Sequence, residues 1–333
     1  MDTGFAILVL VVVLGLAFDY VNGFHDTANA IATVVATRVL SPLQAVLMAA
    51  TLNFAGAMTG TAVATTVGKG IVEPGAVTQQ LVISALLSAI VWDILTWYYG
   101  IPSSSSHALV FSIVGAGWAT GGLGVLGWPG IEKVLIGLVT SPALGLSIGF
   151  LFMIAMLQLF SRTHPAFVSR FFGRAQLVSS MYMAFSHGGN DAQKTMGVIT
   201  MSLAAYYGWT GDDWDVPLWV IIAAATAMGL GTASGGWRII KTMGHRIVEL
   251  KAIHGFAAET TAATIIEVAS RLGIPISTTH VISSTIMGVG ATGNPRAVRW
   301  GVAGNIVTAW IVTIPACIAM GWIFSVITHA LIK

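Results

Sequence analysis

Asp26 lies in the stretch GFHDTANA at residues 23–30, and Asp191 lies in SHGGNDAQ at 186–193. Each carboxylate is set among small and amide residues, inside a segment otherwise apolar enough to lie in hydrocarbon. Asp26 with Asn22 and Asn29, and Asp191 with Asn190, offer carboxylate and amide oxygens that can coordinate a cation or carry a proton. A charge at this depth costs about 3 kcal/mol or more unless it is paired, so intramembrane acids are functional candidates. A structural ion pair of Asp191 with Lys194, one turn on, is the alternative. A second pair of motifs offers the opposite chemistry: PSSSSH, Pro102 to His107, and PISTTH, Pro275 to His280. Proline is favoured in the first turn of a helix, and Ser or Thr beside it can cap free N–H groups. A half-helix starting there presents N–H donors and its positive dipole end to an anion. Ser103, Ser104, Ser105 and Ser106 in one copy, and Ser277, Thr278 and Thr279 in the other, add hydroxyl donors. Two such helix starts brought together make a donor cage that suits a tetrahedral oxyanion; ordinary capping is the alternative reading of each alone.

Other ionisable residues fall in apolar runs. Glu259, within HGFAAETTAAT, has no charged neighbour in sequence and is either a structural acid or an ion or proton site. Asp19 and Asp93 are placed by no motif, while Glu267 and Arg271 are spaced to pair along one helix face. His25, His187, His107 and His280 flank the four motifs. Each is either a hydrogen-bonded core group or a participant in ion or anion binding, and histidine is the side chain that titrates near physiological pH.

The elements that must position these groups are membrane helices. Of 333 residues 56% are hydrophobic and 8% charged, with mean hydropathy +0.84, against the roughly 25% charged residues of an average soluble domain. The apolar runs are continuous rather than alternating, so the chain reads as an all-α, multi-pass membrane protein and not a barrel. The runs fall at 4–24, 31–40, 43–67, 80–99, 106–120 and 134–160, then at 177–189, 195–207, 217–237, 252–270, 280–292 and 301–331. The first, Phe5 to Ala17, lacks the basic start of a signal peptide and reads as mature structure. The single Cys317 excludes an intrachain disulfide framework. No cofactor, metal centre or nucleic-acid partner is expected.

The two lists of runs resemble each other. GIPSSSSHALVFSIVGAG from Gly100 matches GIPISTTHVISSTIMGVG from Gly273 without a gap at an offset of 173, which also carries Pro142 onto Pro315. Asp26 and Asp191 match at 165. The chain therefore reads as a duplication, residues 1–160 and 177–333, joined by a basic linker at 161–176. Arg162, Arg170 and Arg174 in that linker, with Arg238, Lys241, Arg246, Lys251, Arg296 and Arg299, place their loops in the cytoplasm. The acidic GDDWD at 211–215 then falls outside, as do both termini, and the two halves run in opposite directions. Inverted repeats with sites at helix breaks near the midplane are the architecture of many secondary transporters. Both kinds of motif are expected at such breaks. An intramembrane hydrolase is disfavoured, since PSSSSH lacks a positioned acid or nucleophile elbow and every motif occurs twice. A passive anion channel would share the donor cage without needing the acids.

At these four motifs the chain resembles the inorganic phosphate transporter (PiT) family, whose halves each carry a GANDVANA-like signature. GFHDTANA and GGNDAQKT are similar to its two copies, and PSSSSH and PISTTH to its paired phosphate-binding breaks; the likeness covers essentially the whole chain. It implies a non-enzymatic symporter of inverted repeats in which Asp26, Asn29, Asn190 and Asp191 serve the coupling ion and phosphate. Ser103 to Ser106 and Ser277 to Thr279 would hold phosphate, partly neutralised by Lys194 or a bound cation. Members are symporters and structural relatives associate as homodimers. Two departures bear on coupling: His25 stands where sodium-type members have Asn, and Lys194 where they repeat an Asn. FSHGGNDAQK also resembles the proton-coupled bacterial branch, in which metal-phosphate complexes are candidate substrates. The expectation is a phosphate importer of the bacterial inner membrane, working by alternating access and coupled to protons, with sodium coupling and sulfate transport as the alternatives.

Overall fold

A computed structural model describes residues 3–209 and 214–331, and among these the chain forms twelve α-helices and no β-strand. In the first half these are α1 (Thr3–Ala36), α2 (Pro42–Ala57), α3 (Ala62–Gly70), α4 (Gln79–Tyr99), α5 (Ser105–Gly121) and α6 (Trp128–Leu159). In the second they are α7 (Pro165–Tyr207), α8 (Leu218–Ser234), α9 (Trp237–Lys241), α10 (Ala252–Arg271), α11 (Thr278–Ala291) and α12 (Trp300–Leu331). The order repeats element for element. The bend of 70° between α2 and α3 is answered by one of 61° between α8 and the α9 segment, and each terminal long helix carries an internal proline, Pro142 in α6 and Pro315 in α12.

Four helices, α1, α4, α6 and α12, are long and apolar enough to cross a membrane, or six spans if each bent pair counts as one. With no water in hydrocarbon, spanning segments must satisfy their backbone internally, which helices do. The outer faces of α6 and α12 expose large apolar side chains such as Val139, Leu151, Ile311 and Leu331.

Packing crosses between the halves. α1 lies chiefly against α8 and α7 against both α2 and α10, while α5 packs on α12 and α11 on α6. Neither half buries its motif-bearing helices alone, so the two copies are one folded unit. Trp310 of α12 donates its indole N–H to the carbonyl of Pro102 (3.2 Å), fixing the start of PSSSSH from the other half.

The helix starts expected at the two Ser/Thr motifs are present. α4 ends at Gly100 and α10 is followed by Gly273, both left-handed (φ 67° and 65°), a conformation that suits glycine and turns the chain out of the helix. α5 and α11 then begin behind Ser104 and Ser277, whose hydroxyls accept the amide N–H of His107 and His280 (3.2 Å each).

The breaks expected at the two Asp motifs are absent, because α1 and α7 run unbroken through them. The runs at 4–24 and 31–40 are one helix, and so are those at 177–189 and 195–207. The reason is packing. A Cβ on Gly23 would lie 2.6 Å from the carbonyl oxygen of Met228 in α8, and one on Gly188 would lie 2.2 Å from that of Asn53 in α2. These glycines let a crossing helix approach, rather than opening a turn. The interval 161–176 is likewise helical from Pro165 onward, as the first turns of α7. Conversely, the runs at 43–67 and 217–237 each divide at a bend. Residues 211–213 of the acidic loop, and Lys333, lie outside the described residues.

Gly188→Ala is expected to destabilise the α2–α7 crossing by roughly 1–3 kcal/mol through overpacking. Gly173→Ala, where a Cβ meets nothing within 4 Å, leaves stability unchanged or raised. Apparent melting temperatures in detergent check both.

Candidate functional site

The unbroken helices α1 and α7 carry the two Asp motifs to the starts of α5 and α11. Every polar side chain there is buried: Asp26 is 2% exposed, Asp191 1%, Lys194 2%, and the motif hydroxyls 6% or less. Buried polar groups must find partners or carry their full desolvation cost, and these find one another across the repeat.

Ser105 of α5 donates its hydroxyl to Asp26 Oδ2 and lies equally near Asn22 Oδ1, 2.7 Å from each. Thr278 of α11, its mate at the 173 offset, donates to Asp191 Oδ2 at 3.0 Å. The next hydroxyl of each motif is met from the opposite half. Asn29 donates to Thr279 (2.9 Å) as well as Thr278 (3.2 Å), and Lys194 donates to Ser106. Lys194 also pairs with Asp191 and donates to the carbonyl of Ile276 (3.1 Å). Asn29 and Lys194 are themselves mates at offset 165, so one asymmetry sits within an otherwise reciprocal set: an amide in one copy, an ammonium in the other. Ser106 Oγ reaches the Ile276 carbonyl at 3.3 Å, so the two breaks touch directly.

One ligand atom from each of Asp26, His187 and Asp191 lies within 4.8 Å of the other two. Two ionised carboxylates that close repel by about 3 kcal/mol at an effective dielectric near 20. The groups that answer them are the Lys194 ammonium and the ring nitrogens of two histidines. His25 Nδ1 lies 2.6 Å from Asp26 Oδ1, and His187 Nε2 lies 3.1 Å from Asp191 Oδ2. Asp26, His187 and Asp191, with the amide oxygens of Asn29 and Asn190, which accept no hydrogen bond among the described residues, are the groups that could hold a cation.

Most of the residues singled out in the sequence therefore converge. Ser104 and Ser277 act as helix caps, and Ser103 bonds Thr96 (2.8 Å) at the edge of the cluster. Asn190 turns away to Ser270 (2.8 Å) with its amide N–H. His107 and His280 stand behind the hydroxyls, ring centroids 4.7 Å apart, with His280 stacked on Trp310 at 3.9 Å; they pack the helix starts together. Glu259 lies elsewhere, held by Thr33 and Ser179 (2.5 Å each) and Gln176 (3.0 Å) between α1, α7 and α10. Glu267 and Arg271 pair at 2.8 Å on the surface. Asp19 and Asp93 are fully buried beside the cluster.

Several partners were missed in the sequence. Thr96 binds His25 Nε2 (3.0 Å), Ser270 holds Asn190, and Asn53 binds both His187 (3.2 Å) and Thr232 (2.8 Å). Thr96 and Ser270 both fall in the last turn before a GIP glycine, a regularity that would have exposed them. Asn53 is a lone amide in an apolar run and carries no such signal.

Residues 22–321 match the phosphate transporter family. A probable low-affinity inorganic phosphate transporter of Bacillus subtilis is 45% identical over 96% of this chain and 97% of its own length. One from Rhizobium meliloti, of the same description, is 48% identical over 94% and 93%. Among solved structures, one described as the sodium-dependent phosphate transporter matches with a TM-score of 0.86 at 28% identity, covering 98% of this chain and all of the other. With the whole of its motif-bearing region matched, and close relatives covered nearly end to end, this chain belongs to the phosphate transporter family.

Proposed function

We propose that the protein is a symporter that imports inorganic phosphate with protons by alternating access, and that phosphate binds between the starts of α5 and α11. The observation that carries this is the reciprocal set of bonds: Ser105 to Asp26, Thr278 to Asp191, Asn29 to Thr279 and Lys194 to Ser106. The first N–H groups of a helix have no intrahelical acceptor, so phosphate between these starts would meet amide donors, hydroxyls and one ammonium.

The same bonds supply a coupling mechanism. Without phosphate, the hydroxyls of Ser105 and Thr278 stabilise the two carboxylates. When phosphate takes those donors, Asp26 and Asp191 lose them, and two carboxylates within 4.8 Å beside a dianion need compensating positive charge. Protons or cations must then enter with phosphate. His25 and Lys194, standing where sodium-type members have amides, favour protons. Sodium is the second reading, favoured by the likeness to a sodium-dependent transporter of solved structure and by the ligand geometry of Asp26, His187 and Asp191. A neutral metal-phosphate complex as cargo and sulfate as substrate remain subordinate readings of the same cage.

The repeated element order and the crosswise packing support an inverted pair of repeats, 1–160 and 177–333, that rock against each other about this site. Both termini are then outside and the arginines of 161–176 in the cytoplasm of a bacterial inner-membrane protein. Homodimerisation, which the family resemblance implies, belongs to the same reading.

Asp191→Asn or Ser105→Ala is expected to lower phosphate uptake into proteoliposomes at least ~10-fold, the loss of about one charge-assisted hydrogen bond, with unchanged elution on size exclusion. Normal uptake in both variants sinks the site. Uptake driven by a proton gradient, and indifferent to a sodium gradient, is expected for the wild type; the opposite pattern selects the sodium reading. Lys194→Asn, which copies Asn29 of the other half, is expected to lower the proton-driven rate at least ~10-fold and to bring out sodium stimulation, measured in the same vesicles.

A further inference from the structure

The first turns of α7 carry an exposed patch that the transport site does not use. Arg162, Arg170 and Arg174 are exposed, none takes part in the ion pairs found among the described residues, and no acidic residue occurs from 161 to 190. Arg170 and Arg174 are one turn apart and form the rim of a groove of about 450 Å³ whose other walls are Phe167, Phe171, Ala175 and Val178. Phe167, Phe171 and Val178 are 55%, 46% and 68% exposed. The rings of Phe167 and Phe171 are parallel within 10° at 5.9 Å, and Phe171 also stacks on Phe160, so the apolar wall is a built surface rather than loose side chains.

Depth along the helix identifies what fits there. With the central cluster at the midplane, as the proposed function has it, and at about 1.5 Å per residue, Arg174 lies roughly 20 Å and Arg170 roughly 26 Å along α7 from His187. The hydrocarbon half-thickness is about 15 Å, with headgroups a few ångströms beyond, so both guanidiniums, on flexible stems, reach the phosphate layer while Val178 lies at the hydrocarbon edge. A guanidinium pair matches a phosphate diester in charge and in paired N–H geometry. Ala175 and Val178 below it match the upper acyl chains. The rings of Phe167 and Phe171, level with the guanidiniums, form an apolar wall at the interface of the kind aromatic residues favour there, which a free anion in water would leave uncovered.

We infer that this groove is a binding site for an anionic phospholipid, whose headgroup phosphate is held by Arg170 and Arg174 beside the rings of Phe167 and Phe171, and whose upper chains lie against Ala175 and Val178. α7 continues from this groove directly into His187, Asp191 and Lys194, so a lipid here clasps the helix that carries half of the site.

Native mass spectrometry of the full chain, with phosphatidylglycerol and phosphatidylcholine titrated in turn, tests the inference. Phosphatidylglycerol is expected to be retained roughly 10-fold better than phosphatidylcholine, and Arg170→Gln/Arg174→Gln to abolish that preference. The single variant Arg174→Gln, which keeps one guanidinium, is expected to reduce it severalfold, and serves if the double variant does not fold. Equal retention of the two lipids by the wild type overturns the inference, as does an undiminished preference in the variants. Displacement of the lipid by inorganic phosphate overturns it too, since it would mark a site for the free anion.

Discussion

Two carboxylates buried within 4.8 Å of each other are the constraint on which the rest of this structure depends. Left without donors in a low-dielectric interior, they would cost more than the packing around them returns. The chain answers by bringing a hydroxyl from each half-helix start, Ser105 and Thr278, together with Lys194, His25 and His187. That requirement accounts for the left-handed glycines that end α4 and follow α10, for the close glycine crossings that seat α1 and α7, and for the Trp310 bond that fixes the PSSSSH start. A group that must be satisfied in one way without substrate and in another with it is also the natural place for coupling. In the proposed site the same donors cannot serve the carboxylates and phosphate at once.

Duplication makes this economical. Each half supplies one acid, one helix start and one long helix, and the contacts cross so that neither half is complete alone. Departures from symmetry are few and concentrated. Asn29 and Lys194 occupy matching positions and reach matching hydroxyls, Thr279 and Ser106, yet one is neutral and the other carries a charge. His25 and Asn190 likewise match, but one bonds Thr96 and its neighbouring acid while the other bonds Ser270. In the proposed site the choice of coupling ion rests on these differences, because the surrounding geometry is otherwise shared.

Much of this was legible in the sequence, since the information was doubled. The ungapped match at offset 173 located both helix starts and their caps, and the two Asp motifs named the acids that meet. Glycine, Asn and Asp lower hydropathy whether they open a turn or admit a neighbouring helix, so the motifs read as breaks although α1 and α7 pass through unbroken. Only the approach of Met228 to Gly23, and of Asn53 to Gly188, decides between the two. Asn53 was hidden because a single polar residue in an apolar run has no periodicity to betray it, and Gln176 because it ends a segment, 161–176, that reads as a polar linker. Glu259 was visible as a buried acid, but its separation from the central cluster depends on tertiary packing between α1, α7 and α10 that no spacing encodes.

The central claim is that phosphate and the coupling ion exchange partners on the same hydroxyls and carboxylates, so that each strengthens the other's binding. By linkage the effect must be reciprocal. Equilibrium phosphate binding to the purified protein, measured across pH at fixed sodium and across sodium at fixed pH, tests it most directly. The account predicts that phosphate affinity rises at least ~10-fold along one of these two axes, and that the rise disappears in Asp26→Asn/Asp191→Asn. Phosphate binding of the same strength at every proton and sodium concentration would contradict it.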